Sequence, residues 1–136
     1  PYLVTRYKLQ DLHIMILIVE DDEMMLRALE FRLKKDGYQV TAARNGKEAM
    51  EYLKASSFKL VITDLMLPFV MGMELISYIK ANHPQVSVIV LSGADEESTV
   101  MDAFKLGADD FITKPFSPGE LSLRVRRFLV RQPYIG

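Results

Sequence analysis

Glu20, Asp21, Asp64, Ser92 and Lys114 are the residues whose types and places could do chemistry. Each stands at the end of a strand-like run: 14–19 precedes the acidic pair, 60–62 leads through Thr63 to Asp64, 86–91 to Ser92 and the short 110–113 to Lys114. Brought to one place, three carboxylates repel one another and raise each other's pKa unless a cation sits among them. Hard oxygen ligands, few and open to water, suit magnesium better than a soft metal. Magnesium held in this way is the usual partner of a phosphoryl group. Asp64 is then placed to attack phosphorus as a carboxylate nucleophile and form an acyl phosphate. Lys114 would neutralise one phosphoryl oxygen and Ser92 would donate a hydrogen bond to another. Taken singly, each residue has a plainer reading: Asp64 as a turn residue, Asp21 or Asp22 as a helix cap, Ser92 as a turn hydroxyl. The regular fall of polar groups at strand ends is what sets them apart.

Those positions require a particular scaffold. The runs 14–19 and 60–62 are continuously apolar, 86–91 is broken only by Ser87, and all three are rich in branched aliphatic residues, as in strands buried on both faces. A more polar strand is predicted over 38–42 and a short one over 110–113. Helical spacing falls between them: Met25, Leu29 and Leu33, ended by Gly37; Ala49, Met50 and Leu53 after an Asn45-Gly46 turn; Leu75, Ile76 and Ile79 after Pro68 and Gly72 interrupt the chain. A fourth helix carries Val100, Ala103 and Phe104 on one face, and a fifth carries Leu121, Val125, Phe128 and Leu129, with Arg124, Arg126, Arg127 and Arg131 read as a solvated face. His83 reads as a helix-end residue, because no second histidine stands near enough to complete a metal site. Alternation of strand and helix calls for right-handed crossovers and a doubly wound five-stranded parallel sheet of order 2-1-3-4-5. In that order all five residues face one edge, at the topological switch point.

Composition narrows the function. The chain has 136 residues, 49% hydrophobic and 26% charged, with net charge −1 and no cysteine. This describes one α/β domain, gives no electrostatic reason to bind nucleic acid or an anionic membrane, and excludes disulfides and thiolate chemistry. No run is long enough to span a bilayer and no signal peptide is recognisable, so a cytoplasmic location is expected. Residues 1–14 read as an N-terminal extension or a leftover of cloning, 15–131 as the domain and 132–136 as a tail; His13 and Tyr7 are given no role.

Four stretches resemble the receiver domains of two-component response regulators: Ile16-Leu-Ile-Val-Glu-Asp-Asp22, Val61-Ile-Thr-Asp-Leu-Met-Leu-Pro68 with Gly72, Val90-Leu-Ser92, and Gly107-Ala-Asp-Asp-Phe-Ile-Thr-Lys-Pro-Phe116. They stand in the family's order and spacing. The resemblance implies a flavodoxin-like (βα)5 fold in which Asp64 accepts a phosphoryl group from a sensor histidine kinase or phosphotransfer protein. It implies Mg2+ as cofactor, bound directly by Asp21 and Asp64, through water by Glu20, and by the main-chain carbonyl of Met66. Lys114 becomes the phosphate-contacting lysine, with a cis bond to Pro115. Ser92 and Phe111 become the switch: phosphorylation draws the Ser92 hydroxyl inward, and the Phe111 ring turns into the space, reshaping the fourth helix, fifth strand and fifth helix. Without the resemblance, Phe111 reads as an ordinary core residue.

By the same resemblance the chain is expected to be a self-phosphorylating and self-dephosphorylating switch rather than a turnover enzyme, and its 107–116 stretch looks most like members that dimerise through the fourth helix, fifth strand and fifth helix. Four positions depart from the family. Met66 and Ala94 stand where polar groups are frequent, and Val100 and Met101 stand where dimerising members carry a basic residue. No output segment follows Arg131, so the expectation is a stand-alone receiver or one cut from a longer regulator. An aspartyl-nucleophile phosphatase would want an acid where Met66 stands. A nucleotide- or flavin-binding module would want a Gly- or Ser/Thr-rich loop where the first acids stand. The remaining rival is a receiver-like protein-binding module that works without phosphorylation.

Overall fold

The apolar runs form one sheet. A computed structural model describes residues 14–67, 70–93 and 97–129. Its strands are β1 (Met15–Val19), β2 (Gln39–Ala43), β3 (Leu60–Asp64), β4 (Ser87–Ser92) and β5 (Asp110–Thr113). Its helices are α1 (Glu23–Lys35), α2 (Gly46–Ala55), α3 (Gly72–Asn82), α4 (Glu97–Lys105) and α5 (Pro118–Leu129). The sheet order is β2-β1-β3-β4-β5, with every pairing parallel. This is the doubly wound order expected from the sequence.

Because side chains alternate along a strand, the sheet divides the core in two. Leu17, Val19, Val61, Val88 and Val90 face the layer that carries Leu53, Leu75, Ile76, Ile79 and Ala103. Ile16, Ile18, Leu60, Ile62, Ile89, Leu91 and Ile112 face Leu26, Leu29, Leu33, Leu121 and Val125. So α2, α3 and α4 cover one face and α1 and α5 the other. Ile14, just before β1, is buried in the second layer and accepts the Gln39 N–H at 3.0 Å.

Several expectations shift on contact with the structure. β2 starts one residue later than predicted because Tyr38 still belongs to the exit of α1. Gly37 adopts φ 101°, and the Tyr38 N–H reaches back to Leu33 O at 3.2 Å, the left-handed helix ending that glycine permits. β4 also starts one residue late, since the Val86 N–H closes a turn on His83 O at 3.0 Å. Asn45-Gly46 is less a free turn than the start of α2. Asn45 Oδ1 accepts the Glu48 N–H at 2.8 Å as an N-cap, and Glu48 Oε1 reaches back to the Arg44 N–H at 3.0 Å. On α4, Val100 and Ala103 point inward as predicted, but Phe104 lies at the rim, 36% exposed. Pro68, Ala94, Arg131 and the segments 1–13 and 130–136 lie outside the described residues.

The basic face assigned to α5 is also only partly solvated. Arg124 donates to both oxygens of the buried Asp110, at 3.0 and 3.2 Å, tying α5 to the start of β5. Asp110 also accepts the N–H of Phe111 at 2.8 Å. Sequence periodicity cannot reveal this pair, because the partners lie on different elements. Arg124→Ala is expected to cost about 1–2 kcal/mol in chemical denaturation, since it removes the main cation partner of a buried carboxylate while the Phe111 amide and Arg127, 3.9 Å away, limit the loss.

Candidate functional site

At the carboxyl edge of the sheet the predicted residues do meet. Asp64 closes β3 with 9% of its surface exposed. Glu20 follows β1 and is 1% exposed, while Asp21 beside it faces solvent. Carboxylate oxygens of Glu20, Asp21 and Asp64 lie within 4.8 Å of one another. Into this group Lys114 extends its ammonium, donating to Asp64 Oδ2 at 2.7 Å and to Glu20 Oε1 at 2.9 Å. Strand pairing aims it there. Ser92 is in register with Thr113, and the Lys114 N–H continues the ladder onto Ser92 O at 2.7 Å. The Lys114–Pro115 bond is cis, as the resemblance implied.

The second oxygens of the two buried acids are held by the backbone. Asp64 Oδ1 accepts the Met66 N–H at 3.1 Å, and Glu20 Oε2 accepts the Asp22 N–H at 3.2 Å. Asp22 itself caps α1, accepting the Met25 N–H at 3.1 Å, so of the four consecutive acids it is the third that serves the helix. Burial pushes the Glu20 carboxyl above its ordinary pKa; the Lys114 hydrogen bond and the Asp22 amide offset this only partly, and the Asp64 charge adds to it. Desolvation pulls Lys114 down, but its hydrogen bonds to Asp64 and Glu20 outweigh that and hold the ammonium above its ordinary value. Lys114 is therefore charged at neutral pH. Three carboxyl groups outnumber the one ammonium at a half-buried site built only of hard oxygen donors. A small divalent cation matches both the charge and the donor type.

Two glycines hold the segment after Asp64, and their reason for being glycine is not visible in the sequence. The Gly72 N–H donates to Leu65 O at 3.1 Å, and a Cβ on Gly72 would stand 2.6 Å from both Asp64 O and Leu65 Cα. A Cβ on Gly46 would collide with Val70. Met66 is 59% exposed above the site.

Ser92 and Phe111 lie together on the side of the site toward α4. Ser92 is 2% exposed, and among the described residues its hydroxyl makes no hydrogen bond. Phe111 is half-buried and meets the edge of the Phe104 ring, centroids 5.8 Å apart and planes at 85°. Both residues line a cavity of about 350 Å³ shared with Glu97, Val100, Met101 and Phe104. Space for a ring therefore exists between α4 and the sheet.

Comparison with known proteins agrees with this geometry. The family described as "Response regulator receiver domain" matches residues 16–126. The transcriptional regulatory protein SrrA of Staphylococcus aureus (strain NCTC 8325 / PS 47) is 37% identical over 116 residues, which are 85% of this chain and 48% of that protein. The chain thus spans about half the length of the curated relatives it matches. A putative response regulator from Chloroflexus aurantiacus J-10-fl superposes with TM-score 0.81 at 31% identity, covering 87% of this chain and 98% of the other. A BeF3-activated DrrB receiver domain superposes with TM-score 0.80 at 34% identity, over 87% and 98% of the two chains. Among the described residues no helix is long and apolar enough to cross a membrane. In its strand order, in the residues gathered at its sheet edge and in its match along 16–126, the chain belongs to the response regulator receiver domain family of two-component signalling.

Proposed function

We propose that Asp64 is the phosphoacceptor of this receiver and that Mg2+ is its cofactor. The observation that carries the reading is the convergence of Glu20, Asp21 and Asp64 around the Lys114 ammonium, with net charge suited to a divalent cation. Asp21 and Asp64 would hold the ion directly, joined by the Met66 carbonyl. Glu20, the most deeply buried of the three acids at 1% exposed, would act through water. When bound, the ion supplies charge neutralisation to the phosphoryl oxygens.

An Asp64 carboxylate oxygen attacks phosphorus in line, forming a C–O–P linkage as the bond from phosphorus to the donor's histidine nitrogen breaks and the electron pair leaves with the imidazole. Met66 N–H on Oδ1 leaves Oδ2 for attack, once Lys114 transfers its hydrogen bond from that oxygen to an incoming phosphoryl oxygen. Ser92 would donate to another phosphoryl oxygen, and Phe111 would turn into the space beside it. The BeF3-activated neighbour supports the same chemistry, since beryllofluoride stands in for a phosphoryl group on a carboxylate.

The donor is a sensor histidine kinase or phosphotransfer protein in the cytoplasm, and the domain is read as 15–131. Exposed Met101, Leu106 and Leu123 on α4, its exit and α5 support a homodimer through α4-β5-α5. Nothing observed favours a binding module independent of phosphorylation. The test is intact mass after incubation with acetyl phosphate and Mg2+. One phosphoryl group gained, and none after chelation, is expected; no adduct on rapid quenching, with no beryllofluoride binding, would overturn the reading.

A further inference from the structure

Beyond the residues assigned above, the turn between β2 and α2 touches both loops that form the site. At one end, Arg44 lays its guanidinium on Glu23, Nε to Oε2 and Nη2 to Oε1, each at 3.0 Å. Glu23 lies in the first turn of α1, directly after the acidic loop. At the other end, Gly46 packs on Val70 in the loop that follows Asp64 and Met66. A methyl on Gly46 would lie 2.9 Å from the Val70 carbonyl carbon, and closer still to its oxygen and Cβ.

Neither feature has a local reason. An exposed single-point ion pair contributes little, but a two-pronged guanidinium–carboxylate contact fixes orientation as well as distance. It joins residues 21 apart in sequence, on adjacent strand ends, where Glu20 N–H already bonds to Ala43 O at 3.0 Å. Gly46 is the first residue of α2, where glycine is a poor helix former, and it does not adopt the left-handed conformation that would explain glycine. Close approach of Val70 does explain it. The turn's own conformation is secured by Asn45 and Glu48 through the capping bonds described above.

We infer that the turn 44–46 is a brace, in which Arg44 through Glu23 positions the loop carrying Glu20 and Asp21, and Gly46 through Val70 positions the loop carrying Met66. Arg44 and Gly46 are positioning residues; neither touches the phosphoryl group. This rests on the proposed Mg2+ site and names what holds its two halves in register.

The fork can be removed without removing the charge. In Arg44→Lys the ammonium keeps its charge but has no planar pair of donors. Calorimetric titration with Mg2+ is expected to show binding weakened by about three- to tenfold, below the 10–100-fold cost of losing a group that bonds a ligand directly. Arg27→Lys is the control, because Arg27 reaches Glu23 only through Nε, at 3.2 Å within the same helix; it should leave Mg2+ affinity unchanged. Gly46→Ala should shift the amide resonance of Met66 and slow acetyl phosphate uptake at a temperature where the chain is fully folded. A merely structural role would lower thermal stability while leaving Mg2+ affinity intact. Wild-type affinity in Arg44→Lys, or equal weakening in Arg27→Lys, would overturn the brace. If the wild-type chain itself bound no Mg2+, it is the site assignment that would fall.

Discussion

Asp64→Ala is expected to abolish phosphoryl uptake completely while the fold stays intact. Only one carboxylate at the site is both exposed enough to be reached and fixed in aim. Asp64 is held by the Met66 amide on one oxygen and Lys114 on the other, whereas Glu20 is 1% exposed and Asp21 faces solvent. Asp64→Asn sharpens the experiment, because its amide oxygen still accepts the Met66 N–H but its nitrogen cannot attack phosphorus. The substitution relieves the crowding of two carboxylates on a single ammonium but sets its amide nitrogen against Lys114, donor facing donor, so in metal-free buffer the Asn variant should stay within about 1 kcal/mol of the wild type. Intact mass and urea denaturation together check this. A variant that takes up phosphate at the wild-type rate would place the acceptor elsewhere.

Gly72→Ala should damage both stability and chemistry. The atoms a methyl would strike are backbone, Asp64 O and Leu65 Cα at 2.6 Å, so no side-chain rotation relieves the clash. Alanine's better helix propensity, worth about 1 kcal/mol, offsets part of an overpacking cost of about 3 kcal/mol at the upper end of its range, leaving a net loss of about 2 kcal/mol. The displaced group is the carbonyl of Asp64, the proposed phosphoacceptor. A shift near 1 Å in a reacting group can slow a step by about 10²-fold, and a loss of that order is expected for acetyl phosphate uptake. Stability within about 0.5 kcal/mol of wild type, the scale of an inconsequential surface change, would show that the α3 start yields easily.

The sheet was legible because its central strands are apolar on both faces, and Leu17 and Ile18 serve opposite layers without a break in hydrophobicity. The site was legible because a doubly wound sheet sends every strand end to one edge, so residues far apart in sequence fall together once the strand order is known. What escaped were contacts between elements. Arg124 carries the periodicity of a solvent face yet pairs with Asp110, and Arg44 looks like any loop cation until Glu23 is seen against it. Gly46 and Gly72 read as punctuation, but their neighbours, Val70 and the Asp64–Leu65 backbone, are what make a side chain intolerable. Phe104 was misplaced for a related reason: it lies one position past the α4 face that Val100 and Ala103 bury, and it covers Phe111 rather than filling the core.

Lys114 reaches its two carboxylates from 94 and 50 residues away in the chain. During synthesis from the N-terminus, β1 and β3 can pair, bringing Glu20 and Asp64 together, well before the ribosome has released the residue that neutralises them. For that interval the nascent sheet edge is an anionic patch whose assembly is opposed by its own charge. The three inner strands must be stable enough through their apolar faces to hold it. The last strand to dock, β5, therefore does more than widen the sheet: its arrival is the moment at which the proposed phosphoryl site becomes electrostatically complete. A truncated chain ending before residue 110 would have the acids without the means to use them.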